Sequence, residues 1–212
     1  MQDLSASSLP SFEELSPEAK FEIFPVDFLQ PLTFEGIYPE PAPLEVDLGC
    51  GSGRFLIEMA QRFPKKNFLG VERLLGRVRK VRRKACQLRL ENVRVLRLEI
   101  EYTLRFLLGA GRIARFHLNF PDPWPKRRHH PRRVADAEFF GFVHSALEPN
   151  GEIWIKTDHA DYFSRITSSA VGCVHRFQEI PWEESESALT DFEAAYRQEG
   201  RPVYLLRLRK TS

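Results

Sequence analysis

The chain has 212 residues, 42% of them hydrophobic, and a formal net charge of +2. That length suits one domain with a substantial core, and no apolar run approaches the roughly 18 residues that a membrane-spanning helix needs. The start lacks the basic and apolar blocks of a secretory signal, and three cysteines (Cys50, Cys86, Cys173) without C-x-x-C spacing argue against a disulfide scaffold or a zinc site and fit a reducing cytoplasm.

Residues 1–43 form the first segment. They hold seven of the 15 prolines and little periodicity, which predicts an arm, poorly ordered over residues 1–16 and then lying on the domain. From Leu44 to the end, short apolar runs alternate with helical stretches. Strands are predicted at Leu44–Leu48, Asn67–Val71, Val93–Leu98, Arg115–Asn119 and Glu152–Thr157. Helices are predicted near 53–63, 73–90, 100–108 and 135–147. The second carries Leu74, Val78, Val81, Ala85 and Leu88 at spacings of three and four, a single buried stripe. A helix at 160–170, an apolar run near Val174–Ile180, a loop and a closing strand Val203–Leu208 complete the chain. Strand–helix alternation of this kind implies an α/β fold, a mostly parallel sheet with helices on both faces.

Charge is unevenly spread. Residues 1–47 carry ten acids and one base, Lys20; the window Arg73–Arg89 carries eight Lys/Arg and no acid; Lys126–Arg133 carries five Lys/Arg and two histidines. Two acid-free basic windows flanking a core create local positive fields that attract polyanions, nucleic acid above all.

The first strand runs into Leu44-Glu-Val-Asp-Leu-Gly-Cys-Gly-Ser-Gly53. Gly49, Gly51 and Gly53 permit a tight turn and close approach of a ligand to the backbone. Arg54 stands where a dinucleotide fingerprint wants its last glycine, so a diphosphate is disfavoured. Glu72 ends the second strand, where a carboxylate can accept hydrogen bonds from ribose hydroxyls. Glu99 follows the third. With Asp47, these acids occupy three successive strand ends around one crevice. The set resembles the class I S-adenosylmethionine-dependent methyltransferases, a Rossmann-like fold, with Asp47 beside the methionine end of the cofactor.

After the fourth strand comes Asn119-Phe-Pro-Asp-Pro-Trp-Pro-Lys-Arg-Arg-His-His-Pro-Arg-Arg133. Its prolines limit the backbone and hold Asp122 at the sheet edge ahead of a basic tail. With Leu69-Gly-Val-Glu72, Thr157-Asp-His159 and Thr190-Asp-Phe-Glu193, this run resembles the bacterial single-chain tRNA (guanine-N7-)-methyltransferases from about Leu44 onward. The resemblance implies a methyltransferase domain over 44–212, S-adenosylmethionine as cofactor and N7 of guanine 46 in the tRNA variable loop as target. It implies cofactor contacts at Asp47, Gly49, Gly51, Gly53, Glu72, Glu99 and Asp122, with Asp122 also catalytic. It implies guanosine contacts at Lys126, Asp158, Thr190, Asp191, Phe192 and Glu193, leaving open whether Asp158 or Glu193 reads the base. RNA contacts would be Arg128, His129, His130, Arg132 and Arg133. No metal and no membrane are expected, the compartment is cytoplasmic, and a homodimer stays open. His130, Pro131 and Ala195 depart from the family's usual residues without removing a carboxylate. Competing readings are methylation of another base atom or a protein side chain, and a non-catalytic RNA-binding relative.

Overall fold

A computed structural model describes residues 17–124, 128–129, 133–172 and 176–211. The strands are β1 (Glu22–Ile23), β2 (Leu44–Leu48), β3 (Asn67–Val71), β4 (Val93–Leu96), β5 (Ile113–Asn119), β6 (Leu147–Thr157), β7 (Phe177–Glu179) and β8 (Tyr204–Lys210). They form one sheet in the order β1-β4-β3-β2-β5-β6-β8-β7. Pairing is parallel from β1 through β6, and β8 runs antiparallel to both β6 and β7. Helices α1 (Arg54–Arg62), α2 (Leu75–Gln87), α3 (Ile100–Tyr102), α4 (Ala137–Ala146), α5 (Ala160–Val171) and α6 (Asp191–Gln198) connect them. The predicted α/β class is therefore the observed one.

Two apolar clusters lie on opposite faces of the sheet. Val46, Leu69, Phe116, Ile153 and Ile155 pack with Phe140, Val143 and Tyr162 of α4 and α5. Phe68, Val93 and Val95 pack with Leu56, Met59, Val78 and Val81 of α1 and α2. Strand alternation sends successive residues to opposite faces, so β3 and β4 feed both clusters, Leu69 and Leu96 the first, Phe68 and Val95 the second.

Several boundaries differ from expectation. The stripe on α2 is buried at Val78, Val81 and Ala85, but Leu74 and Leu88 are 41% and 42% exposed. Both lie at the helix caps, and Arg89 turns into the left-handed region at φ 54°, which ends the helical period. The helix expected near 100–108 begins as α3 and continues as a π-helical turn, Thr103–Leu107. The stretch between Ile180 and Val203, read as a loop, contains α6. A signal for it is present: Thr190 accepts the backbone N–H of Glu193 at 2.9 Å, one half of a Thr-x-x-Glu capping box.

The described part of the arm is built into the domain. Its residues Glu22–Ile23 add a parallel edge strand beside β4. Phe21, Leu32 and Tyr38 are buried, and the Tyr38 hydroxyl donates to the Phe68 carbonyl at 3.1 Å. Residues 1–16, expected to be poorly ordered, lie outside the described residues, as does most of the Val174–Ile180 run before Phe177.

Candidate active site

Chain order leaves β2 toward β3 and β4 on one side, then returns to β5 and β6 on the other. In open α/β sheets the crevice beyond the carboxyl ends of the strands at such a reversal is where ligands bind. The glycine-rich turn after β2 lies there. The N–H groups of Gly49 and Cys50 both donate to the Val71 carbonyl, at 2.9 and 3.0 Å, which pins the turn to the end of β3. Gly51 and Gly53 sit at φ +57° and +80°. A Cβ on Gly51 would meet open space, whereas one on Gly53 would lie 2.7 Å from a Val81 methyl. Gly53 thus lets α1 and α2 close on each other, and Gly51 leaves the crevice wall bare.

Glu72 is buried and braces this turn. Its Oε2 accepts the Gly51 N–H at 3.2 Å and its Oε1 the Leu74 N–H at 2.9 Å, with Arg77 3.5 Å away. A carboxylate offers about four acceptor sites, so some remain for the two hydroxyls of a ribose. Asp47 is also buried, and Asn119 Nδ2 donates to it at 3.3 Å. Burial pushes its carboxyl up; the Asn119 hydrogen bond opposes this and the Glu72 charge adds to it, leaving it at about 7. Glu99 starts α3, is largely exposed and lies 3.9 Å from Arg73. The donor set of this crevice, two buried carboxylates around bare glycine backbone, fits a nucleoside cofactor with a cationic centre.

The proline loop leaves β5 through Phe120 at φ +50°, and Trp124 sits at +42°. Such conformations in bulky residues are strained and persist where the surroundings enforce them. Phe120 is held by its N–H donating to the Lys156 carbonyl at 2.8 Å and by an edge contact with Tyr196, ring centroids 5.6 Å apart. Asp122, between these residues, is exposed. Arg133 departs from its expected place on an RNA surface. It is buried, its Nε donates to the Pro123 carbonyl at 2.6 Å, and its guanidinium lies over the Tyr162 ring. It therefore staples the loop to α5. Arg128 is exposed and donates to His129 at 3.2 Å, and His129 meets the Trp124 ring edge-on. Lys126, His130 and Arg132 lie outside the described residues.

The expected guanosine contacts divide. Asp158 is partly exposed and paired to Arg201 at 2.5 Å. Phe192 is 57% exposed. Asp191 is tied to the glycine turn by Ser52 and to α1 by Arg54, each at 3.0 Å. Thr190 caps α6. Glu193 points away from solvent: it is 0% exposed, with Lys156 at 2.6 Å on one oxygen and Arg197 at 2.9 Å on the other. An i, i+4 partner on one side and a strand lysine on the other consume its acceptors, so it anchors α6 to β6.

Sequence reading passed over Asn119, Lys156 and Arg201. Lys156 had a signal, a lone cation inside the apolar run Ile153–Thr157. Asn119 and Arg201 had none, because each partner is distant in the chain. The same face of the sheet carries a further buried polar group. Glu45 accepts from Lys66 at 2.8 Å and lies 2.7 Å from His117 Nε2. Burial raises its carboxyl, but the His117 hydrogen bond, the Arg115 charge and Lys66 outweigh that and bring it to about 2. His117 is pushed down chiefly by burial, against the opposing pull of the Glu45 hydrogen bond and charge.

Residues 41–206 match a family model described as "Putative methyltransferase". A tRNA (guanine-N(7)-)-methyltransferase of Geobacillus thermodenitrificans is 31% identical over 173 residues, covering 79% of this chain and 80% of that protein. The chain belongs to the tRNA (guanine-N(7)-)-methyltransferase family. A member from Syntrophotalea carbinolica is 35% identical over 138 residues, 65% of this chain; the match spans 60% of that relative's length. The crystal structure of the 16S rRNA methyltransferase KamB superposes with a TM-score of 0.61 at 15% identity, over 84% of this chain and 93% of that one. That likeness gives the methyltransferase fold. The family match includes every residue assigned above to cofactor, guanosine or RNA. No helix among the described residues is long and apolar enough to cross a membrane.

Proposed function

We propose that this chain methylates N7 of a guanine in tRNA, with S-adenosylmethionine as donor, and that the target is guanine 46 of the variable loop. The observation that carries the reading is the crevice at the strand-order reversal. Buried Asp47 and braced Glu72 line it, and the strained proline loop bearing Asp122 adjoins it, in a chain of this family. Bound there, S-adenosylmethionine supplies a methyl carbon activated by a sulfonium. Glu72 would hold the ribose, Gly49 to Gly53 the backbone-facing side, Asp47 the methionine end and Glu99 the adenine end.

Guanine N7 has a free lone pair at neutral pH, so no residue has to act as a general base. The protein's contribution is orientation of two reactants. Methylation at N7 places positive charge on the purine, and the Asp122 carboxylate, exposed at the end of β5, is available to stabilise it. Asp158 is the better candidate than Glu193 for reading guanine N1–H and the 2-amino group. Asp158 keeps one oxygen clear of Arg201, whereas both Glu193 oxygens are engaged inside the domain. A site built to accept those two donors rejects adenine strongly. Arg128 and His129, with Lys126, His130 and Arg132, would meet the RNA backbone.

Mass spectrometry of nucleosides after incubating the protein with unmodified tRNA and S-adenosylmethionine tests this reading. The expected product is 7-methylguanosine, lost when guanine 46 is replaced by adenine. A different methylated nucleoside, or methylated protein instead, would overturn it. Retained tRNA binding without cofactor binding would leave a non-catalytic RNA-binding relative.

A further inference from the structure

Helix α2 carries cations of two kinds. Those at its flanks are neutralised: Arg77 lies 3.5 Å from Glu72, Arg82 lies 2.6 Å from Glu22, and Arg73 approaches Glu99 at 3.9 Å. Those on its outer half are not. Arg79, Lys80, Arg83 and Lys84 are all exposed and make no ion pair among the described residues. Val78, Val81 and Ala85 face the core, so at 100° per residue these four fill the opposite side. They stack as two like-charged i, i+4 pairs, Arg79 over Arg83 and Lys80 over Lys84, an arrangement that weakens a helix. A merely solvated face would intersperse acids; residues 73–89 contain none.

We infer that the outer face of α2 is a second binding surface for tRNA phosphates, separate from the proline loop. This inference rests on the tRNA reading above. Three features select a nucleic-acid backbone as the occupant. The four charges fall within on the order of 8 Å along the helix axis, compact enough to meet adjacent phosphates of one strand. The helix begins at the crevice itself, its N-cap residue Leu74 donating to the Glu72 carboxylate at 2.9 Å. A polyanion with one base in the crevice therefore has this helix as a neighbouring wall. The loop also holds fewer free cations than its sequence suggests, because Arg133 is buried, so an RNA anchor elsewhere is needed for the same electrostatic gain.

The test compares wild type, R79Q/K80Q/R83Q/K84Q and the control K65Q/R165Q, which removes two exposed cations that are not on α2. Binding of unmodified tRNA is titrated from about 0.05 to 0.3 M salt. The quadruple variant is expected to lose at least about tenfold in affinity near 0.1 M salt. Its log–log salt slope should become shallower by about 0.7–0.9 for each phosphate contact removed. The control should keep the wild-type slope. Thermal midpoint and S-adenosylmethionine affinity report that the fold survives; if the quadruple variant melts early, R79Q/R83Q and K80Q/K84Q should each show about half the slope change. An unchanged slope overturns the inference, as does a control whose two lost charges cost half as much as the quadruple variant's four, which would reflect net charge alone. Unchanged tRNA binding with lost binding to anionic phospholipid vesicles would assign the face to a membrane surface instead. If wild type neither binds nor methylates tRNA, the proposed function itself fails; if wild type does both and the variants match it, only the α2 surface fails.

Discussion

At the scale of single residues, environment separates carboxylates that look alike in the sequence. Asp122 is exposed beside the crevice, Asp47 is buried and raised to about 7, and Glu45 is buried and lowered to about 2. The difference is partners: Asp47 has one amide donor and a like charge nearby, whereas Glu45 has an imidazole, an ammonium and a guanidinium. If Asp122 stabilises charge that develops only during transfer, Asp122→Asn should fold normally and bind tRNA about as well as wild type. Its single-turnover rate should fall at least about tenfold, equivalent to roughly 1.4 kcal/mol of barrier; a wild-type rate would leave Asp122 a positioning residue. Asp47 makes a pH prediction. A carboxyl raised from 3.8 to about 7 on folding holds a proton that the unfolded chain has released. Its stabilising contribution is complete below about pH 4 and is lost as pH rises to about 7. The melting temperature of Asp47→Asn, measured without cofactor, should therefore gain on wild type between pH 4 and 7. A constant difference across that range would remove Asp47 as the titrating group.

At the scale of elements, two attachments decide where the site's movable parts sit. Helix α6 is held from inside by Lys156–Glu193 and from outside by Arg54–Asp191. Removing one member of a buried pair strands the other, at a cost of about 3–5 kcal/mol. Glu193→Ala should lower the melting temperature by roughly 6–20 °C. Lys156→Met combined with Glu193→Leu should recover most of that, since a buried pair replaced by apolar side chains of similar volume is often neutral. A Glu193→Ala protein that melts within about 2 °C of wild type would sink the anchoring role. The proline loop is held by Arg133 against Pro123 and Tyr162. Arg133→Ala should reduce thermal stability and catalytic rate together, because the loop bearing Asp122 loses its staple. Arg128→Ala should leave the melting temperature alone and weaken only tRNA binding. Identical profiles for the two variants would mean that both cations play one role.

At the scale of the whole molecule, the arm and the domain are one body over the described residues. Phe21 is buried among α2 and β4, and Arg82 binds Glu22. Phe21→Ala should cost about 3–5 kcal/mol, as for other fully buried aromatics, and its effect should appear as a single lowered unfolding transition. A separate early transition with the main one unchanged would show that the arm unfolds on its own. The net charge of +2 conceals a division of labour. One arm acid, Glu22, neutralises Arg82 on the inner flank of α2, while the outer cations Arg79, Lys80, Arg83 and Lys84 stay without an ion pair among the described residues.

Local sequence by itself determined the sheet's central strands, the glycine turn, the three acids at strand ends and the proline loop, because each is a short-range pattern. Alternation specifies strands, glycine spacing specifies a positive-φ turn, and X-Pro restricts the backbone whatever surrounds it. What tertiary structure decided is which charged side chains face solvent. Arg133 and Arg128 are neighbours in one basic run, yet only Arg128 is exposed, since Tyr162 and Pro123 claim the other. Glu193 and Asp158 both suit a guanine, yet Lys156 takes Glu193 into the interior. In each case the deciding partner is far away in the chain. Its reach depends on strand order and helix placement, and no periodicity in one segment encodes these.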